Sequence, residues 1–258
     1  SFADQNHAPS LTDVRLEIQR GEIDMYGFYY DPTYVMVLIG VVICMLASAN
    51  VNRTFQKYSR IRSHSGMTGR EAAERLLHAN GIYDVTVQRV AGNLTDHYDP
   101  RNKTLNLSDS TYASTSVAAI GVAAHECGHA VQHANGYAPL KIRGSLVPVA
   151  NFGSTLAWPL ILIGFLIQGN ASVLLINLGI LLFSAAVLFQ IVTLPVEFNA
   201  SSRALKSLET NGILYTEEVA DTRKVLRAAA LTYVASAASA ILQLLRLILI
   251  SGGRRRND

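Results

Sequence analysis

The chain has 258 residues, half of them hydrophobic and only 16% charged, with a formal net charge of +3. Soluble domains carry roughly 25% charged residues, and here the apolar residues stand in long uninterrupted blocks, so the composition points to a membrane protein. There is no basic stripe interleaved with aromatics and hence no footing for nucleic-acid binding; the two cysteines, Cys44 and Cys127, are too few for a disulfide framework.

Residues 1–24 are polar and acidic and lack the basic-then-apolar build of a secretory signal peptide. They read as an N-terminal extension, with Met25 expected as the natural start, although 11–20 has the make-up of a short helix. Residues 25–52 form the first expected transmembrane segment. No charge occurs from Pro32 to Asn52, and Tyr29, Tyr30 and Tyr34 make an aromatic belt at its start. Arg53, Lys57, Arg60 and Arg62 follow it, whereas the preceding flank is acidic, so the positive-inside rule places the following region in the cytoplasm.

Residues 53–143 are expected to be a cytoplasmic catalytic region. Thr68 followed three residues later by Glu71 is a capping-box signature for an amphipathic helix that Asn80-Gly81 ends. Three short strands are predicted over 85–90, 94–98 and 104–107, the last two joined by the turn-forming Asp99-Pro100-Arg101-Asn102. They read as a small antiparallel sheet, with 104–107 as an edge beside the next helix, able to pair an extended peptide.

That next helix, predicted over 114–134, contains Ala123-Ala124-His125-Glu126-Cys127-Gly128-His129-Ala130. Residues four apart stack on one helix face, so His125 and His129 can offer two imidazoles to one zinc ion. Glu126 then projects beside the metal, where a carboxylate can take a proton from an activated water. Cys127 occupies a variable position and points away from the ligand face, and His133, a further turn along, is too far to join His125 on the same ion.

Residues 144–196 carry no charge and are interrupted only by Gln168-Gly169-Asn170, which predicts a transmembrane hairpin with arms over 149–167 and 172–194. The hairpin returns the chain to the motif's side at Pro195. A catalytic zinc usually takes three protein ligands, and position 135, where an extended motif would place a third histidine, holds Asn135. Among the downstream acids Glu197, Glu209, Glu217, Glu218 and Asp221, Glu197 is preferred, because its helix-like segment begins where the hairpin delivers the chain. Residues 197–227 are thus the third-ligand helix and a cytoplasmic segment. Residues 228–258 form a helix and a basic tail, Arg254-Arg255-Arg256, and two readings stay open: a fourth span, or a helix packed along the membrane face.

The motifs Phe28-Tyr29-Tyr30-Asp31-Pro32-Thr33-Tyr34, Ser65-Gly66-Met67-Thr68-Gly69, Leu94-Thr95-Asp96-His97-Tyr98-Asp99-Pro100 and the His125 stretch through Gln132 resemble the YugP-type membrane zinc metallopeptidases of bacteria. The resemblance runs from Met25 to the C-terminus. It implies a gluzincin-like neutral zinc metallopeptidase of the bacterial inner membrane, with Zn2+ on His125, His129 and Glu197 and Glu126 as the catalytic base. Gluzincin relatives often place an Asp four residues after the Glu to support a ligand histidine. Ser201 stands there instead, which leaves Asn199 as the expected support. His97, Tyr98 and Tyr112 are candidate oxyanion donors.

The fold class expected is an α+β membrane protein, mainly helical, with a small antiparallel sheet beside the metal helix and three to four membrane helices. The expected function is a membrane-bound zinc endopeptidase acting on protein or peptide substrates at the cytoplasmic face. Two alternatives are an intramembrane site-2-like protease, raised by the uncharged residues 110–124, and a zinc-stabilised scaffold or chaperone without catalysis. The first needs an Asp from a later membrane helix, and none lies between Arg143 and Glu197.

Overall fold

In the computed structural model the described residues are 31–254. The expectations for 1–24, for Tyr29 and Tyr30 and for the end of the basic tail lie outside them. Helix α1 spans Tyr34–Tyr58. Helix α2 spans Gly69–Ala79 and opens with the expected capping box: the Glu71 amide donates to Thr68 Oγ1 at 3.2 Å, and the Thr68 amide donates to Glu71 Oε2 at 2.8 Å.

Strands β1 (Thr86–Val90), β2 (His97–Asp99) and β3 (Thr104–Ser108) form one sheet in the order β1-β3-β2. The hairpin β2–β3 is antiparallel, turned by Asp99 accepting from the Arg101 amide and the Asn102 side chain. However, β1 runs parallel to β3, so the sheet is mixed rather than wholly antiparallel. The reason is burial. Leu105 and Leu107 are fully buried, and Asn106 and Ser108 on the other face are buried too, so β3 takes the central position. This corrects the edge assigned to 104–107: both sides of β3 are paired, and β1 and β2 are the edge strands, of which β2 carries His97 and Tyr98 of the cleft. Strand β2 also starts later than predicted, because Leu94 has a positive φ of 56° that breaks the extended run.

A short helix α3 (Asp109–Tyr112) leads to α4 (Val117–Ala134), capped by Ser116 Oγ accepting from the Ala119 amide at 3.2 Å. Helix α4 runs through the core, where Ile120, Ala123, Cys127 and Ala130 meet Leu76 and Leu77 of α2, Leu105 and Leu107 of β3, and Leu208 of the later helix that carries Glu197.

Helices α5 (Ala138–Leu166) and α6 (Asn170–Thr210) are the hairpin, turned at Gly169, whose φ of 82° suits a residue without Cβ. Both extend well beyond the predicted arms. Helix α6 continues unbroken past Pro195, so Glu197 and the long apolar run before it are on one rigid element. Helix α7 (Thr216–Arg254) is likewise continuous. It runs antiparallel along α1: Lys224 lies over the Tyr58 ring, a Cβ on Gly40 would stand 2.6 Å from Ser239 Oγ, and Arg246 bonds Asp31 at 3.1 Å while its guanidinium lies 4.2 Å from the Tyr34 ring.

Among the described residues four helices, α1, α5, α6 and α7, are long and apolar enough to cross a membrane. Their outward faces carry apolar side chains that water would not tolerate in such numbers, among them Leu38, Met45, Phe152, Leu166, Leu174 and Leu181. Helix α7, which contains most of the stretch 228–258, is one of these four by length and composition.

Candidate metal centre

The site forms where α4 crosses α6. The crossing is close because position 128 is glycine: a Cβ there would stand 2.6 Å from the Ala200 carbonyl oxygen. The approach sets His125 and His129, one turn apart on α4, against Glu197 on α6. His125 Nε2 is 3.1 Å and His129 Nε2 3.5 Å from the same oxygen, Glu197 Oε2. The second oxygen, Oε1, accepts from Arg143 of α5 at 3.1 Å. The carboxylate therefore divides its oxygens, one to a cation and one to the two imidazoles.

The tautomer of His129 follows from a chain of hydrogen bonds that begins at an obligate donor. Arg203 Nε donates to Asn199 Oδ1 at 2.7 Å, which fixes the Asn199 oxygen inward. That oxygen and the Val196 carbonyl both accept from Gln132 Nε2, at 3.0 and 2.8 Å. Gln132 must therefore present Oε1 to His129 Nδ1, 3.0 Å away, and Nδ1 carries the proton. The Nε2 lone pair is left for a metal. On the other histidine, Ser201 Oγ lies 3.1 Å from His125 Nδ1 and can fill the same role. Ser201 thus stands where the expected Asp is missing and reaches His125 itself, while Asn199 supports His129 through Gln132.

The donor atoms of His125, His129 and Glu197 lie within 4.8 Å of one another, the group among the described residues that could hold a metal ion. No aspartate belongs to it. Two imidazoles, each with Nδ1 engaged by a neighbouring side chain and Nε2 turned to the carboxylate, together with that carboxylate fit the three-ligand donor set of a zinc site. Burial alone would depress the His129 imidazole, but the Glu197 hydrogen bond and the Glu126 charge hold it above its ordinary value, so in the metal-free protein protons compete with a metal here.

Glu126 and His129 line a cleft of about 470 Å3, together with Asp96, His97 and Tyr98 from the β2 side and Tyr233 from α7. His97 holds its ring by Nδ1 against the Thr95 carbonyl at 2.9 Å. The Tyr98 hydroxyl lies 2.8 Å from His133 Nδ1, so His133 sits on the cleft rim as a partner of Tyr98 and outside the ligand group. Burial, with the charges of Asp84 and Asp99, pushes the Tyr98 phenol up and keeps its proton on. Tyr112 is placed elsewhere: it packs on the core with the Arg70 guanidinium over its ring. Cys127 is buried with Sγ against the Ala73 carbonyl, and burial pushes its thiol up.

Arg143, Gln132 and Tyr233 escaped the sequence reading. Gln132 had a signal, since it lies three residues after His129 on the same helix face. Arg143 was visible only as the last charge before an uncharged run, and nothing local marks Tyr233.

Residues 33–252 match the family model described as "Putative neutral zinc metallopeptidase". The chain is also 49% identical over 212 residues to the "Putative membrane protease YugP" of Bacillus subtilis (strain 168), covering 82% of this chain and 93% of that protein. No solved structure matches.

Proposed function

The chain belongs to the family of putative neutral zinc metallopeptidases, and from that premise we propose that it is a membrane-bound zinc endopeptidase cutting protein or peptide substrates at the cytoplasmic face of the bacterial cell membrane. The observation that carries the reading is the convergence of His125, His129 and Glu197 beside Glu126 at an open cleft. Zinc, when bound, would polarise the scissile carbonyl and lower the pKa of a water. The chain's own groups do the rest. Glu126 takes the proton released and gives it to the leaving amine. Arg143, by occupying Glu197 Oε1, keeps Oε2 turned to the histidines. Tyr98 on the β2 side and Tyr233 of α7 present hydroxyls along the cleft walls for a developing oxyanion, whereas His97 spends its Nδ1–H on the Thr95 carbonyl and turns an Nε2 lone pair outward. An extended peptide adds to the edge of β2, which bears His97 and Tyr98 and has β3 on its other side.

The cytoplasmic placement rests on charge. Arg53 and Lys57 on α1, Arg203 and Lys206 on α6, and Arg223 and Arg227 on α7 all lie at the end of the bundle that holds the metal site, as the positive-inside rule requires of a cytoplasmic face.

Glu126→Gln is the test. The amide cannot take a proton, so cleavage of a peptide substrate by the zinc-loaded protein should fall by about 10²–10⁴-fold, with zinc content and thermal midpoint unchanged. Undiminished cleavage would sink the assignment of Glu126, and undiminished biological activity without cleavage would favour a scaffold.

A further inference from the structure

A second groove, of about 460 Å3, lies between α6 and α7 at the same end of the bundle and shares no lining residue with the cleft. Its walls present three cations, Lys206 from α6 and Arg223 and Arg227 from α7, against one carboxylate, Glu209. The neighbouring basic residues are engaged: Arg203 bonds Asn199, and Lys224 pairs with Asp221 at 2.8 Å. The three that face the groove have no ion pair among the described residues.

The groove lies where both helices change character. On α6 the uncharged run ends at Val196, and on α7 an uncharged run begins at Ala228. Phe198, half-exposed, and Ala230 line the bilayer end, whereas Lys206, Glu209 and Arg223 line the far end. A ligand suited to this gradient has an apolar body toward the membrane and a single negative charge at headgroup depth. The carboxylate narrows it further: Glu209 repels a second negative charge but accepts from hydroxyl groups, as Ser202 on the same wall also does.

We propose that this groove binds the phosphodiester headgroup of an anionic phospholipid with a hydroxylated head, of the phosphatidylglycerol kind. The phosphate lies against Lys206, Arg223 and Arg227, the head hydroxyls meet Glu209 and Ser202, and an acyl chain passes along Phe198. Ser201 also lines the groove, and its hydroxyl is 3.1 Å from His125 Nδ1, so the bound headgroup is one hydrogen bond away from the metal centre.

The experiment is native mass spectrometry of the full chain in detergent, titrated with phosphatidylglycerol, phosphatidylethanolamine or phosphatidylcholine. Lys206→Gln/Arg223→Gln/Arg227→Gln should weaken phosphatidylglycerol binding by roughly tenfold or more. Arg53→Gln/Lys57→Gln/Arg60→Gln, which removes as much exposed charge from the same end of the bundle, should bind as the wild type does. Equal losses in the two triple variants, or equal affinity for the three lipids in the wild type, overturn the proposal. Displacement of the lipid by inorganic phosphate at equal concentration would assign the groove to a soluble phosphate and overturn the lipid source. If the groove variant fails to fold by circular dichroism, Arg227→Gln alone takes its place and should weaken binding severalfold; an unchanged affinity in it overturns the proposal equally.

Discussion

The side chain of Gln132 links the two metal-facing helices. It accepts from His129, donates to the α6 backbone at Val196 and donates to Asn199, so one amide sets both a tautomer and a helix contact. Gln132→Leu removes all three bonds while keeping the volume. Zinc affinity should fall by about 10–100-fold, as is usual when the partner of a ligand histidine is lost, measured by competition with a chelating dye; unchanged affinity would mean that His129 is held by packing alone. Cys127 offers the opposite case. It lies between His125 and His129 in sequence, yet its thiol is buried against the Ala73 carbonyl and held protonated. Maleimide should leave Cys127 unmodified in the folded protein and label it on unfolding in guanidinium. Rapid labelling of the native state would place it on the metal side of α4.

At the scale of elements, the site depends on how closely α4 and α6 cross. Gly128 has the Ala200 backbone where a side chain would be, and backbone cannot step aside as the end of a flexible side chain can. Gly128→Ala should therefore push the helices apart, costing about 1–3 kcal/mol of stability and weakening zinc binding with it. A thermal midpoint and zinc affinity both equal to wild type would show that the crossing has slack. The same crossing explains the length of α6. Because one helix runs from the membrane arm through Pro195 to Thr210, Glu197 is carried on a rigid rod rather than on a loop. A carboxylate so placed would need little ordering to take a metal.

For the molecule as a whole, the decisive arrangement is α7 lying antiparallel along α1. It is fixed at three levels, by Lys224 on Tyr58, Ser239 at Gly40 and Arg246 with Asp31 and Tyr34. If both helices cross the bilayer, Gly252 and the hairpin turn at Gln168 share one face, and Arg101, on the loop between β2 and β3, lies on the other. Single cysteines at these positions, in a Cys44→Ala/Cys127→Ala background, should report this with an impermeant maleimide: Gly252→Cys and Gln168→Cys labelled from one side, Arg101→Cys only from the other. Labelling of Gly252→Cys together with Arg101→Cys would show that α7 does not cross.

What the sequence by itself determined is what depends on neighbours along the chain. A spacing of four puts His125 and His129 on one face, Thr68 and Glu71 cap a helix, Gly169 turns a hairpin, and long uncharged runs make membrane-length helices, since each follows from local geometry or from solvent. What the tertiary structure alone decided depends on residues far apart in sequence. The insertion of β3 between β1 and β2, which leaves those two strands as the sheet edges, follows from burial on both faces of Leu105–Leu107. The support of His129 runs through Gln132 to Asn199 and Arg203, that of Glu197 through Arg143, and α7 takes its place by its fit along α1. No local pattern encodes these pairings, because each hydrogen bond or close contact exists only once separate helices have packed.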